Sequence, residues 1–135
     1  TDIMVGFPGE TQKEFEQSCG FVKKVGFAKA HVFSYSRRPG TVADQAPGQV
    51  EASVREQRAK IMLQLTQQAR QTFLSTQTGR CEEVLFETCD HGGNCQGYTK
   101  NYTPVLVPCA NDLSGRLQTV KLTDCSRKGC QGVLL

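Results

Sequence analysis

Tryptophan is absent from this 135-residue chain, and aromatic side chains of every kind make up only 7% of it. A core can form, but it must be built from Val, Leu, Ile and Phe. No apolar run approaches the ~20 residues that a membrane-spanning helix needs, so no membrane partner is expected. Thr1-Asp2 leads into a short apolar strand with no basic stretch ahead of it, which does not read as a secretion signal. Histidine is scarce, and neither His31 nor His91 has a Ser, His and Asp grouping in view. There is no internal repeat, no low-complexity segment and no phosphate-binding glycine loop. "GFPGE" has two glycines without the spacing that a dinucleotide turn requires.

Net charge is also nearly absent. A formal +3 does not by itself announce nucleic acid. Residues 74–135 hold six Lys/Arg and six Asp/Glu, so a basic surface there must come from clustering and not from excess. Cysteine, by contrast, is plentiful: seven, an odd number that cannot all pair. No compact disulfide framework is legible, and the expectation is reduced thiols in a cytoplasmic protein. Cys89, His91 and Cys95 lie close together, with Cys125 and Cys130 farther on. The C-x5-C and C-x4-C spacings are loose beside the tight pairs of zinc and iron–sulfur sites, so no metal is expected.

Two styles of sequence follow one another. In "TDIMVGFPGET" a short apolar run suits a buried strand of a parallel sheet. Thr11 and Glu14 then fit a capping box. Phe15, Cys19 and Val22 share one helical face, and Gly26 stands where a helix would end. A second strand over about 28–35 makes a βαβ unit. After a loop over 41–49, a long helix runs from about 50 to 73 with Val54, Ile61, Leu65 and Ala69 as its apolar stripe. Beyond it come "CEEVLFETC", a glycine-rich turn "HGGNCQG", "YTKNYTPVLVP" as one or two strands, the turn and strand of "NDLSGRLQTVKLTD", and "CQGVLL". Five short strands in so little chain predict a small barrel. The expected domains are 1–73 and 74–135.

"TDIMVGFPGET", a helix, "HVFSYSRRPGT" and "VREQRAKIMLQL" closely resemble the radical S-adenosylmethionine methylthiotransferases, which insert sulfur as a methylthio group. The last sixty or so residues look like the TRAM domain that ends those proteins. The resemblance implies a fold class of α/β plus all-β: the C-terminal part of a radical-SAM (β/α) partial barrel, then a small OB-like barrel that holds the substrate. The family's cluster-binding C-x3-C-x2-C does not occur here. The chain therefore reads as a C-terminal fragment, inactive alone. S-adenosylmethionine and two [4Fe–4S] clusters are implied for the full-length parent, and none is expected on this stretch. A truncated barrel edge would favour self-association.

The basic turn Arg37-Arg38 resembles the tRNA-modifying branches, and "HVF" ahead of "SYSRRPGT" is nearest those acting on N6-threonylcarbamoyladenosine in the anticodon stem-loop. The alternatives are isopentenyladenosine in tRNA, a ribosomal protein, or a non-enzymatic RNA-binding module. By this resemblance Gly6, Phe33, Tyr35 and Ser36 contribute to the S-adenosylmethionine face, with Arg37 and Arg38 at its rim to meet phosphate or carboxylate. In the barrel, Tyr98, Lys100, Asn101 and Tyr102 mix aromatic, basic and amide groups suited to RNA. Arg80, Arg116, Lys121, Arg127 and Lys128 extend that surface. No catalytic residue is expected in this chain.

Overall fold

The computed structural model describes residues 1–135 and divides into two compact units, Thr1–Arg70 and Gln71–Leu135. The first opens with strand β1 (Asp2–Val5), helix α1 (Gln12–Val25) and strand β2 (His31–Ser34). The strands pair in parallel from Asp2↔His31 to Val5↔Ser34. Each is the other's only strand partner, so their outer edges carry unpaired backbone groups. Helix α1 begins as its sequence dictates. Thr11 Oγ1 accepts from the Glu14 N–H at 3.2 Å, and Glu14 Oε2 accepts from the Thr11 N–H at 2.8 Å. It ends at Gly26, whose left-handed backbone lets its N–H reach the Val22 carbonyl at 3.0 Å.

A single helical turn, α2 (Val42–Gln45), lies within the stretch expected to be loop, and α3 runs over Ala52–Ser75. Of the stripe expected on α3, Val54, Leu65 and Ala69 are half-buried, but the most deeply buried positions are others. Arg58, Met62 and Thr66 are buried, while Ile61 is exposed. Those three recur every four residues, one turn apart on one side of the helix. Met62 joins Val5, Phe15 and Val22 in the core of the first unit.

The second unit is a closed barrel of β3 (Cys81–Cys89), β4 (Asn94–Thr99), β5 (Pro104–Pro108), β6 (Leu117–Ser126) and β7 (Gly129–Leu134), in the order β3-β4-β5-β7-β6. Alternation fills the interior: Val84 and Phe86, Cys95, Val105 and Val107, Val120 and Leu122, and Cys130 are buried. Closure leaves this sheet no free edge. One sequence expectation changes here, while "YTKNYTPVLVP" does divide between two strands. "NCQG" is the start of β4 and not a turn, while residues 100–103 are a tight turn between β4 and β5. Gly97 makes the crossing possible, because a Cβ there would lie 2.2 Å from the Leu85 carbonyl oxygen.

The expectation of reduced cysteines is corrected for four of the seven. Cys89–Cys95 and Cys125–Cys130 are disulfides. The register sets each pair directly opposite across a hairpin, Cys89 against Cys95 and Cys125 against Cys130. A spacing too loose for a metal pair is thus right for a hairpin crossing. Both close short loops, which places their entropic contribution at the low end for disulfides. Cys19, Cys81 and Cys109 are free thiols.

Candidate nucleic-acid interface

The two units carry separate candidate surfaces. In the first, the loops after β1 and β2 leave from the carboxyl ends of parallel strands. Gly6 stands at the head of its loop with a φ of 72°. What approaches it closely is Arg55: a Cβ on Gly6 would lie 2.4 Å from the Arg55 Cγ. Arg55 donates to the Tyr35 carbonyl at 2.8 Å, and its guanidinium carbon lies 6.0 Å from the Tyr35 ring. Tyr35 is buried, packs edge-on against Phe7 with centroids 5.3 Å apart, and has no partner for its hydroxyl. Phe33 and Ser36 are exposed.

Below this lies an ion pair that the sequence reading did not identify. Arg58 meets Glu10 at 2.6 Å with both side chains largely buried. The Gly6 N–H donates to the same Glu10 oxygen at 2.6 Å, and Arg58 donates to the Glu10 carbonyl at 2.9 Å. The Arg58 guanidinium also sits 5.3 Å from the Phe15 ring. Arg58 fixes the loop after β1 to α3, and Arg55 does the same for the end of β2. The available signal was a cation on the helix face one turn before Met62, where an apolar residue is ordinary.

The two adjacent arginines have different surroundings. Arg37 Nε meets the Asp44 carboxylate at 2.8 Å, and its Nη2 donates to the Asp44 carbonyl at 2.8 Å, which ties the turn to α2. Arg38 is exposed, and only its backbone carbonyl is engaged, accepting from Thr41. Of the pair, Arg38 is the uncommitted cation.

In the barrel, strand register sorts the charges. Lys121 opposes Cys81, the first residue of β3. The β4–β5 turn with Lys100 and Tyr102 lies at that same end, and the β6–β7 turn with Arg127 and Lys128 extends toward it. Arg80 immediately precedes β3. Five of the barrel's six Lys/Arg therefore gather at one end, with Glu82, Glu83 and Asp124. The other end keeps Arg116 with Glu87, Asp90 and Asp112. A formally neutral unit is polarised along its axis, which is the clustering that its composition required.

Individual side chains at the basic end are unequal. Lys100 meets Glu83 at 2.5 Å, which raises the lysine's pKa and lowers the glutamate's, chiefly through that hydrogen bond. Arg80 approaches Glu82 at 3.8 Å. Asn101 is committed to the turn: its carbonyl oxygen accepts from the hydroxyls of Thr99 and Thr103, and its amide donates to Gln77. Tyr102 is 81% exposed at a φ of 60°, an aromatic ring held out at the tip. Tyr98 points outward from β4, half-buried, with Leu85 and Pro104 as its strand neighbours. The structure thus brings Arg80, Lys100, Tyr102, Lys121, Arg127 and Lys128 to one end, places Tyr98 on the adjoining wall, and leaves Arg116 at the far end.

The iron–sulfur clusters that the family resemblance implies find no ligand set in the first unit. The first unit contains one cysteine, Cys19, where an iron–sulfur cluster needs several thiolates. The position that a Cβ on Gly6 would take is filled by the Arg55 stem.

Comparison with known proteins accords with the barrel geometry. Residues 75–135 match the TRAM domain. The chain is 32% identical over 126 residues to a threonylcarbamoyladenosine tRNA methylthiotransferase of Bacillus subtilis, covering 90% of this chain and 28% of that protein. It is 33% identical over 136 residues to a tRNA-2-methylthio-N(6)-dimethylallyladenosine synthase of Caldicellulosiruptor saccharolyticus, covering 100% of this chain and 29% of the relative. A protein of that same description from Finegoldia magna is 35% identical over 126 residues, covering 92% and 27%. The chain spans less than a third of the length of these curated relatives.

Proposed function

Because this chain belongs to the radical S-adenosylmethionine methylthiotransferase family and carries a TRAM domain, we propose that it holds tRNA for the methylthio modification of N6-threonylcarbamoyladenosine beside the anticodon. The observation that carries this reading is the polarised barrel. Cations that composition leaves balanced are gathered at one end, together with the projecting ring of Tyr102. Lys and Arg neutralise phosphates, and an exposed aromatic at a rigid turn offers a face on which an unpaired base can stack.

In this reading Lys121, Arg127 and Lys128 hold the RNA backbone, and Arg80 and Lys100 join them by exchanging their carboxylate partners for phosphate. Tyr102 stacks, with Tyr98 bordering the surface, and Asn101 acts by fixing the turn that presents Tyr102. In the first unit Arg38 faces the substrate, while Arg37 sets the turn. Residues 1–73 belong to the catalytic barrel of the family and 74–135 to its RNA-holding domain, in a cytoplasmic enzyme.

The methylthio chemistry itself is supplied by S-adenosylmethionine and iron–sulfur clusters in the complete enzyme. The choice of threonylcarbamoyladenosine rests on the basic turn Arg37-Arg38 within "HVFSYSRRPGT". Sequence identity to the relatives does not separate the branches, since both kinds match at 32–35%.

The test is nucleoside mass spectrometry of tRNA from cells lacking the gene. The expected result is loss of the methylthio-threonylcarbamoyl nucleoside with the methylthio-isopentenyl one retained. The reverse pattern would move the protein to the other tRNA branch, and no change in either would overturn the assignment to tRNA.

A further inference from the structure

At the end of the barrel away from the cations, three cysteines from separate parts of the sequence come together. Cys89 ends β3, Cys95 lies near the start of β4, and Cys109 follows β5. Their Sγ atoms all lie within 4.8 Å of one another. The sequence offered only Cys89, His91 and Cys95, and that spacing alone was too loose for a metal site. The fold adds Cys109, whose N–H donates to the Gly93 carbonyl at 2.8 Å and so ties it to the turn between the other two. His91 lies in that same turn and lines the same pocket of about 340 Å³, together with Cys89, Cys95 and Cys109.

A second observation concerns the sulfur of Cys89, which accepts a hydrogen bond from the Leu113 N–H at 3.3 Å. That hydrogen bond ties Cys89 to the segment between β5 and β6, the same segment that carries Cys109. In a tetrahedral zinc site with Zn–S bonds of ~2.3 Å, the sulfurs stand roughly 3.8 Å apart, within the 4.8 Å that spans this cluster. Three thiolates with one imidazole form a soft donor set that suits Zn²⁺ over the hard cations.

We propose that the reduced chain binds one Zn²⁺ through Cys89, Cys95 and Cys109 with His91 as the fourth ligand, and that the Cys89–Cys95 disulfide is the oxidised, metal-free form of the same site. The interconversion is balanced with a dithiol as reductant. The dithiol gives two electrons and two protons, the S–S bond breaks to two thiols, and the reductant becomes a disulfide. Zinc then displaces the thiol protons of the three cysteines to solvent. The ion joins the β3–β4 turn to the segment after β5 and so clamps the acidic end of the barrel.

The experiment titrates the reduced, chelator-stripped chain with Co²⁺ and then Zn²⁺ under anaerobic conditions. One Co²⁺ per chain is expected, with intense thiolate-to-metal absorption and the visible bands of tetrahedral cobalt, all lost on adding one equivalent of Zn²⁺. Cys109→Ser should weaken binding and lower the thiolate absorption per bound Co²⁺, and His91→Ala should weaken binding. A Cys125→Ser/Cys130→Ser double variant should retain one ion per chain at unchanged affinity. Alkylation of the unaltered chain gives a readout that no misfolded variant can confuse. Zinc should protect Cys89, Cys95 and Cys109 and leave Cys81 reactive. Absence of thiolate absorption in the reduced chain, equal binding by the disulfide form, or reaction of Cys109 at the same rate with and without zinc would each overturn the proposal.

Discussion

Gly6 and Arg55 compete for one volume. The glycine holds a φ of 72°, and the space that its Cβ would take is filled by the Arg55 stem at 2.4 Å. Gly6→Ala therefore carries two penalties, the left-handed backbone at about 1–2 kcal/mol and the displacement of Arg55 from the Tyr35 carbonyl. Chemical denaturation should show Gly6→Ala destabilised by roughly 2–4 kcal/mol, both terms together. In Gly6→Ala/Arg55→Ala the steric share should disappear, so the double variant should fall short of the sum of the singles by more than about 0.5 kcal/mol. Strict additivity would mean that Gly6 is required for some contact other than Arg55. A glycine in the sequence signals close approach, but it does not say whether a ligand or a side chain makes it.

At the scale of elements, what could be read ahead was local. The capping box of α1, its glycine stop and the alternation of the barrel strands depend on residues a few positions apart, and all are present. An apolar stripe does not show that Arg58 lies on the buried face of α3. The distant Glu10 carboxylate and carbonyl make that burial tolerable, and no local pattern reveals such partners. Cys109 escaped notice for the same reason: strand order, not spacing, brings it to Cys89 and Cys95. The disulfides become legible only with the hairpin register, since C-x5-C and C-x4-C are merely loose beside metal pairs. The charge polarity of the barrel likewise needed the register, since composition could state only that clustering was required.

The capping box also makes α1 sensitive to acid. Hydrogen bonds from the Thr11 N–H and hydroxyl hold the Glu14 pKa below its ordinary value near 4.5. With the folded pKa depressed, the contribution is complete above the unfolded value and is lost as pH falls through the folded one. Glu14→Gln removes the titrating group. Its thermal midpoint should lie below that of the parent at neutral pH, and the gap should close as the pH drops below about 4.5. A gap that persists undiminished in acid would show that the carboxylate charge has no part in the cap.

For the whole molecule the question is whether polarity or mere charge draws RNA to the barrel. The formal net charge of +3 is too small to hold a polyanion without regard to position. Removing any cation should then matter only if it stands at the basic end. Arg127→Glu/Lys128→Glu removes two cations from the β6–β7 turn, and Arg116→Glu removes one from the opposite end. Binding of an anticodon stem-loop, followed by fluorescence anisotropy over a series of salt concentrations, separates the two cases. Each phosphate contact contributes roughly 0.7–0.9 to the slope of log affinity against log salt. The double variant should therefore bind more weakly and lose roughly 1.5 from the slope. Arg116→Glu should keep the parent slope, although its formal charge changes by as much as that of either single substitution. Tyr102→Ala should weaken binding while leaving the slope intact, because stacking releases no counterions. If Arg116→Glu flattened the slope as much per residue as the β6–β7 pair, the RNA would not be reading the polarity of the barrel. The interface proposed at its basic end would then be wrong.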